Sequence, residues 1–489
     1  MATEEKIHSE HSHGEHSHGE HSHGEYSHGE HSHSEHSHGE HSHSGHSHSG
    51  HSHGGHSHGR SHGDKRRSKS RSNKKSRRAK KLHVTISVLS AVALTMLVLL
   101  SISQDRSYDK NPLIGNSVTL RIFEQLSALN NEGESPELLK LLPQDVLDFY
   151  NQADYPSYDY SVSHLEKEIY PYRADIPVPY KVKWSHEENA MRTVVSVDTK
   201  AIGSSYSATL LTYEATGLDS YPLYNLLPDT VYYYKVMHVM ADGSVTEAKS
   251  GSFMTSAESV RLIYIEGTQN VRDLGGWTGL DGRKVKYGKI FRGASLSDSS
   301  APEMTLTGKG KQALGELRIG AELNLGAVDT ETSIAANCSY KKIGYTNYAT
   351  AITNENARAQ FKEALEYIVA CLDGTLSEQG LPTVERNLYI HCQGGCDRTG
   401  TLVFQLLGLL GVSESDLAKE YELSSFSHIG YGRLRTTRLE TDTYDYAGMV
   451  EALKEYEGNT LTEKFYSFAT KGCGISEETI AAFRNLMLE

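Results

Sequence analysis

The spacing of apolar residues changes along the chain, and each change predicts a different kind of structure. The first 81 residues hold almost no large apolar side chain and cannot form a core. Leu82–Ser103 is a mostly apolar run without Asp, Glu, Lys or Arg. Between residues 117 and 152 leucines recur at near-helical spacing, which predicts helices. From residue 176 to 255, short runs of β-branched and aromatic residues predict a β-sandwich.

Beyond residue 260 strand-like and helix-like runs alternate, which is typical of an α/β domain with a central sheet flanked by helices. The predicted fold class is therefore multidomain, with the α/β domain preceded by a β-sandwich, one transmembrane helix and a disordered His-rich tail. The predicted boundaries are 1–81 for the tail and a basic segment, 82–103 for the transmembrane helix, 104–173 for a helical stalk, 174–257 for the sandwich and 258–489 for the α/β domain.

The apolar run Leu82–Ser103 is long enough to cross a hydrocarbon core of about 30 Å as a helix. The basic residues between Arg60 and Lys81 directly precede it, and such residues stay on the cytoplasmic side. We therefore expect a single-pass protein of the cell membrane with a cytoplasmic N-terminus and an extracellular α/β domain. A cleaved signal peptide is the alternative, but the run ends without a small-x-small cleavage site.

The tail repeats the unit His-Ser-His-Gly-Glu, with variants, over residues 8–62. Neutral imidazoles two residues apart can bind zinc, nickel or copper from a flexible chain. The alternative is a solvated spacer that gains charge below about pH 6.5. Metal binding by the tail is thus one hypothesis for this segment, and no structured metal site is predicted.

Charge and cysteine content narrow the functional classes. Residues 1–81 carry 13 Lys and Arg against 10 Asp and Glu, so the rest of the chain holds a net charge of −16 when the whole holds −13. An acidic globular part argues against nucleic acid as a partner. The five cysteines show neither zinc-site spacing nor a disulfide framework, and no cofactor is predicted.

The candidate chemistry lies in the stretch from His391 to Gly400, between a predicted buried strand and a predicted apolar helix. Paired glycines before a helix N-terminus let backbone N–H groups surround an anion. Cys392 would lie in that positive field, which favours the reactive thiolate, and Arg398 would bind two phosphate oxygens. Thr399 can donate a hydrogen bond to the departing sulfur. The phosphate-binding loop itself would comprise Gln393, Gly394, Gly395 and Cys396.

The sequence His-Cys, five residues, Arg-Thr resembles the signature of the cysteine-dependent protein tyrosine phosphatase superfamily. Asn270–Gly276, which reads Asn-x-Arg-Asp-Leu-Gly-Gly, is similar to a motif of a bacterial and fungal branch of these enzymes. The resemblance covers residues 258–489 and implies a phosphocysteine intermediate. Members act on phosphotyrosine, and several act on phosphoinositides or on phosphoserine and phosphothreonine. The predicted sandwich resembles fibronectin type III domains and the N-terminal domain of purple acid phosphatases, through a tyrosine-corner pattern at Leu226–Tyr232.

The general acid has two candidates. In the branch resembled, the loop usually reads Lys-Asp-Arg and its Asp is the favoured acid, which implies Asp397 here. Asp329 would follow the predicted strand 321–325 on a separate loop, which is where much of the superfamily places its acid. We expect His391 to orient the loop, and Arg272 or Asp273 to brace it from outside.

Cys396 stands where the branch carries the lysine. That lysine would contact phosphate or an inositol headgroup, so its absence implies a narrower substrate range. A reversible disulfide between Cys392 and Cys396 is one hypothesis for this cysteine; an incidental small residue is the other.

The sequence thus predicts a membrane-anchored phosphatase that hydrolyses phosphomonoesters, with phosphotyrosine favoured. A phosphoinositide or inositol phosphate phosphatase of the same fold is the alternative within this class. Alternatives of other classes are a non-catalytic surface protein that binds through the sandwich and a metal-handling protein that acts through its tail. The expected partner is a phosphorylated protein, small molecule or lipid, besides the membrane.

Overall fold

The computed structural model describes residues 138–151, 174–203, 207–258, 260–298, 304–326, 332, 334–378, 380–430, 432–435 and 445–489. All of these residues fall within one compact unit. The His-rich repeat, the basic segment, the predicted transmembrane helix and most of the predicted stalk lie outside the described residues. Metal binding by the tail therefore stays a prediction.

The prediction of a single-pass membrane protein is wrong. None of the helices in the described ranges is both long and apolar enough to span a bilayer. A chain that crosses a bilayer through one segment needs a helix there, because lipid offers its backbone no hydrogen-bond partners. The prediction rested on the length and apolar composition of Leu82–Ser103, which lies outside the described residues. The fold class is corrected to a β-sheet domain followed by an α/β domain.

Residues 180–255, together with the short strand β1 (Leu138–Leu139), form two sheets that share one apolar core. The larger sheet has the order β1-β7-β6-β3-β4, and β2 pairs with β5 in the smaller one. Side chains alternate between core and surface along β6, where Tyr232, Tyr234 and Val236 are buried. The strands are β1 (Leu138–Leu139), β2 (Tyr180–Lys183), β3 (Ala190–Asp198), β4 (Leu211–Glu214), β5 (Ser220–Leu223), β6 (Val231–Met240) and β7 (Val245–Thr255).

The tyrosine of the predicted corner motif closes the turn before β6. The Tyr232 hydroxyl accepts a hydrogen bond from the backbone N–H of Leu227 at 2.8 Å. Burial raises the pKa of Tyr232, so this hydroxyl stays neutral. The likeness of the sandwich to fibronectin type III domains stays a prediction.

The second domain is built on a five-stranded sheet of order β11-β10-β12-β9-β8. Four strands run parallel, and β8 adds an antiparallel edge. Parallel strands covered by helices read as continuous apolar runs, and β12 has all five residues buried. The strands are β8 (Arg272–Asp273), β9 (Ile290–Gly293), β10 (Ile319–Asn324), β11 (Ser339–Lys342) and β12 (Asn387–His391).

The helices of this domain pack against that sheet and one another. Their bounds are α2 (Gly308–Glu316), α3 (Tyr348–Thr353), α4 (Glu355–Leu372), α5 (Asp397–Leu409), α6 (Glu414–Glu422), α7 (Tyr446–Leu453), α8 (Leu461–Ser467) and α9 (Glu477–Met487), with a 3-10 turn at Leu423–Phe426. Every residue of α5 from Thr399 to Leu409 is buried. The central strand β12 therefore delivers the chain to a helix that lies inside the core.

A segment before the sandwich contacts both domains. Strand β1 extends the sandwich sheet by pairing in parallel with β7. The short helix α1 (Gln144–Tyr150) buries Val146, Leu147 and Phe149 in the core of the α/β domain. Where the leucine spacing predicted a helix throughout, Leu138–Leu139 is a strand, because its backbone pairs with a sheet edge.

Arg261 links the two domains at the boundary predicted near residue 257. Its Nε donates to the Leu226 carbonyl at 3.1 Å, and its Nη1 donates to Asp273 Oδ2 at 2.9 Å. Close by, the Asn225 side chain exchanges two hydrogen bonds with the backbone of Tyr264. Within the described residues, hydrogen bonds therefore connect the sandwich to the α/β domain at this boundary.

Candidate active site

Cys392 directly follows the last residue of β12, and the loop it opens leads into α5. The residue is 2 % exposed. Gly395 has φ 69°, and a Cβ there would lie 2.2 Å from the carbonyl oxygen of Gly293. Only glycine combines that backbone conformation with so close an approach to β9. The sequence therefore folds this loop tightly against the end of the neighbouring strand.

The loop presents backbone N–H donors that no group among the described residues uses. Within the part of the chain that the structure describes, the N–H groups of Gln393, Gly394, Gly395 and Cys396 have no acceptor. They lie just ahead of α5, whose dipole favours negative charge at its N-terminus. Such an arrangement can accommodate a phosphate-sized anion.

Arg398 is held at this loop by the strand next to β12. Its Nη1 donates to the carbonyl of Gly326 at 2.6 Å and to that of Leu325 at 3.3 Å. Both carbonyls follow β10. Its Nε and Nη2 have no partner among the described residues, so the guanidinium keeps two donors for an anion.

Thr399 carries a hydroxyl without a partner in the described structure, although the side chain is fully buried. A buried polar atom without a partner is rare and calls for an explanation. A hydroxyl in the first turn of α5 can donate a hydrogen bond to a sulfur or a phosphate oxygen during the reaction. This fits the role expected of Thr399.

His391 lies behind the loop, fully buried beside the fully buried Glu322 of β10. Its Nε2 is 2.8 Å from Glu322 Oε1, and its Nδ1 is 3.2 Å from the backbone oxygen of Cys392. The ring therefore fixes the peptide of Cys392 from the protein interior. This position matches an orienting role and leaves His391 no route to a substrate proton.

Asp397 is partly exposed at the N-terminus of α5, and both its oxygens accept hydrogen bonds. Tyr348 donates its hydroxyl at 2.5 Å, and Arg433 donates through Nε and Nη2 at 3.2 Å each. Burial raises the pKa of Tyr348, which stays a donor at all relevant pH. To protonate a leaving oxygen, Asp397 must exchange one of these contacts for a contact with substrate. Asp329 lies outside the described residues.

Residues of the motif Asn270–Gly276 have two different structural roles. Asp273 ties down its own turn by accepting from the N–H groups of Gly275 and Gly288, and it pairs with Arg261. It does not contact the loop. Asn270 does, because its Nδ2 lies 3.2 Å from the Gly394 oxygen and 3.3 Å from Cys396 Sγ.

Arg272 braces the loop indirectly, through a buried carboxylate. Its Nε donates to Glu420 Oε1 at 2.7 Å, and Arg292 donates to the same carboxylate at 2.9 Å. Arg292 also donates to the carbonyl of Gly395. Burial and the neighbouring Arg292 lower the pKa of Arg272 to about 10, so Arg272 stays charged at neutral pH. Two cations sharing one carboxylate leave net positive charge behind the anion site.

Cys396 packs inside the loop as a neutral thiol. Burial raises the pKa of Cys396 to about 12, and its Sγ donates to the Gly394 carbonyl at 3.1 Å. Both Cys392 and Cys396 are free cysteines. The thiol thus joins two parts of the loop, and the disulfide hypothesis stays a prediction.

Several site residues carried no signal in the sequence. Besides Arg433, Tyr348 and Glu420, the buried Asp298 belongs to this group, because it accepts a hydrogen bond at 3.0 Å from the side-chain amide of the predicted loop residue Gln393. None of these lies in a recognisable motif. Only Asn270 does, since it opens the Asn-x-Arg-Asp pattern, and that position could have been assigned from the pattern.

The comparison with protein families agrees with this geometry. Residues 263–489 match the model of a family described as the tyrosine phosphatase family. A search of curated proteins found no match. The family match covers a little under half of the chain and all of the loop, so the α/β domain is tyrosine phosphatase-like.

Proposed function

We propose that this protein is an active phosphatase that hydrolyses phosphomonoesters, phosphotyrosine above all, through a covalent phosphocysteine intermediate. The observation that carries the proposal is the loop after β12. There Cys392 is accompanied by backbone N–H groups without acceptors and by an arginine with two unused donors. The family match to residues 263–489 supports the reaction class.

In the first step the Cys392 thiolate attacks phosphorus. The S–P bond forms while the bond from phosphorus to the leaving oxygen breaks, and Asp397 gives that oxygen a proton. The loop amides and Arg398 bind the other phosphate oxygens, on which charge develops. Preorganised donors of this kind stabilise the transition state because they need no reorganisation as the reaction proceeds.

In the second step water attacks the phosphocysteine. The Asp397 carboxylate takes a proton from the water, the S–P bond breaks, and inorganic phosphate leaves. The electron pair returns to sulfur, where the Thr399 hydroxyl can stabilise the thiolate by donating to it. Thr399 is suited to this because its hydroxyl has no partner among the described residues.

Cys396 supports phosphotyrosine over a phosphoinositide as the substrate. A buried neutral thiol, hydrogen-bonded within the loop, offers no charge to a second phosphate. The partner we propose is therefore a phosphorylated protein. No contact in the described structure favours a purely binding role for the sandwich.

The test is hydrolysis of para-nitrophenyl phosphate by the full chain, with Cys392→Ser as the nucleophile variant. Replacing the sulfur by a poor nucleophile of similar size should lower kcat by at least about 10³-fold. Cys473→Ser, the same change at a cysteine outside the loop, is the matched control and should keep activity. Absence of turnover by the unmodified protein would refute the proposal.

Acid quenching of the reaction with ³²P-labelled substrate tests the intermediate separately. The label should stay on the unmodified protein and not on Cys392→Ser. A panel of phosphotyrosine, phosphoserine and phosphoinositide substrates then ranks the classes, and a phosphoinositide in first place would contradict the argument from Cys396.

A further inference from the structure

Asn270 connects the catalytic loop to a part of the chain outside the family match. It is 1 % exposed and has φ 59°, a left-handed conformation that few residues other than glycine adopt. Its side-chain Nδ2 holds Gly394 and Cys396, and its Oδ1 accepts from Arg272 Nη1 at 2.6 Å. Asn270 therefore touches the loop twice and the arginine cluster once.

The backbone of Asn270 is held by Asp175. The Asn270 N–H donates to Asp175 Oδ2 at 2.6 Å, and Asp175 is 3 % exposed. Hydrogen bonds to a charged acceptor are shorter and stronger than those between neutral groups. Such a bond offsets the cost of the left-handed backbone, and loss of the acceptor would leave a buried N–H unpaired.

Asp175 is itself fixed in place by its neighbours in the sequence. The adjacent Ala174 donates its N–H to the Phe426 carbonyl at 3.0 Å, next to the site. Three residues on, Val178 donates its N–H to the Leu141 carbonyl at 2.8 Å. The segment that carries Asp175 is therefore attached both to the α/β domain and to the chain near β1.

We propose that Asp175 is a positioning residue of the catalytic loop and acts through Asn270. Asp175 fixes the Asn270 backbone, and the Asn270 side chain then sets the peptide of Gly394 and the thiol of Cys396. The proposal rests on the phosphatase function proposed above. It makes the site depend on a residue that precedes the sandwich and lies outside residues 263–489.

We expect loss of Asp175 to slow the chemical step and to leave substrate binding nearly unchanged. Small displacements of a reacting group, on the order of 1 Å, can cost about 10²-fold in rate. Phosphate binding depends on the amides and on Arg398, which Asp175 does not contact. We therefore expect Asp175→Ala to lower kcat about tenfold, within that bound, and to change KM less than about twofold.

The experiment compares full-length variants on para-nitrophenyl phosphate at a temperature where thermal unfolding shows each to be folded. Asp175→Asn should recover kcat to within about threefold, because its carbonyl oxygen can accept the same N–H. Asp198→Ala removes an equally buried aspartate that accepts hydrogen bonds only within the sandwich, and kcat should be unchanged. Asn270→Gly keeps the left-handed backbone but loses the contacts to the loop, and should lower kcat like Asp175→Ala.

A double-mutant cycle decides whether Asp175 acts through Asn270. If it does, Asp175→Ala adds little to the loss already caused by Asn270→Gly. Additive losses, or an unchanged kcat in Asp175→Ala, would overturn the proposal while leaving the phosphatase function standing. An inactive unmodified protein would refute the function itself. If Asp175→Ala does not fold, Asn270→Gly carries the test, and an unchanged kcat in that variant overturns the proposal.

Discussion

Asp397 is the proposed general acid, and both of its carboxylate oxygens already accept hydrogen bonds. Arg433 and Tyr348 hold it beside the loop, at the first residue of α5. Substrates with different leaving groups distinguish Asp397 from Asp329 as the general acid. Loss of the general acid slows the reaction little when the leaving group is already a weak base.

We expect Asp397→Asn to lower kcat/KM, which reports the first chemical step, by about 10² to 10⁴-fold on phenyl phosphate and much less on para-nitrophenyl phosphate. The better leaving group of the second substrate needs little protonation. Asp329→Asn is the matched control and should affect both substrates equally. If Asp329→Asn shows the dependence on leaving group and Asp397→Asn does not, the acid is Asp329.

Glu420 is the only carboxylate between Arg272 and Arg292 among the described contacts, and all three side chains are buried. Glu420→Gln would leave two buried guanidinium groups without a counter-charge, at a cost of about 3–5 kcal/mol in the free energy of unfolding. Urea denaturation measures this. Glu451→Gln breaks an exposed pair with Lys454 and should change stability by less than about 1 kcal/mol. Equal effects of the two changes would contradict the importance of this cluster.

At the scale of elements, the strand β12, the loop and the helix α5 form one structural unit, and its geometry depends on Gly395. Gly395→Ala would place a methyl group 2.2 Å from the Gly293 carbonyl while φ is 69°. The loop must then move away from β9, and we expect kcat to fall by about 10²-fold. Gly308→Ala, at the start of α2, meets no atom within 4 Å and should keep full activity. Full activity in Gly395→Ala would show that the loop tolerates this displacement.

The sequence predicts contacts of this site between residues that are close together in the chain, and not contacts between residues that are far apart in it. Cys392, Arg398 and Thr399 follow a strand and open a helix, so their arrangement is local and can be derived from spacing alone. Glu420 lies 148 residues from Arg272 and Asp175 lies 95 residues from Asn270, and no periodicity records such contacts. The leucine spacing predicted the short helix α1, but it could not predict that α1 packs into the core of the α/β domain. The membrane span was predicted from the length and hydropathy of Leu82–Ser103 alone, and that run lies outside the described residues.

At the scale of the whole molecule, the α/β domain extends beyond residues 263–489, which the family model matches. Its core includes Leu142, Val146, Leu147 and Phe149, all from the segment before the sandwich. The Phe149 ring lies 5.4 Å from that of Phe426, in the 3-10 turn that follows α6. The Lys419 ammonium donates to the carbonyl of Tyr150 at 2.9 Å. The segment therefore contacts α6, the helix that also carries Glu420 of the buried arginine cluster.

A fragment of residues 263–489 should accordingly be unstable, although it spans the whole family match. Burial of an aliphatic or aromatic side chain contributes about 1.5–3 kcal/mol. Four such side chains amount to about 6–12 kcal/mol, which is comparable to the whole stability of an ordinary domain. A fragment of residues 138–489 retains them and should unfold cooperatively in urea with full activity on para-nitrophenyl phosphate. The two fragments should differ in near-ultraviolet circular dichroism before any denaturant is added. If they share one urea midpoint and one kcat, the segment before the sandwich contributes neither to the core nor, through Asp175, to the catalytic loop.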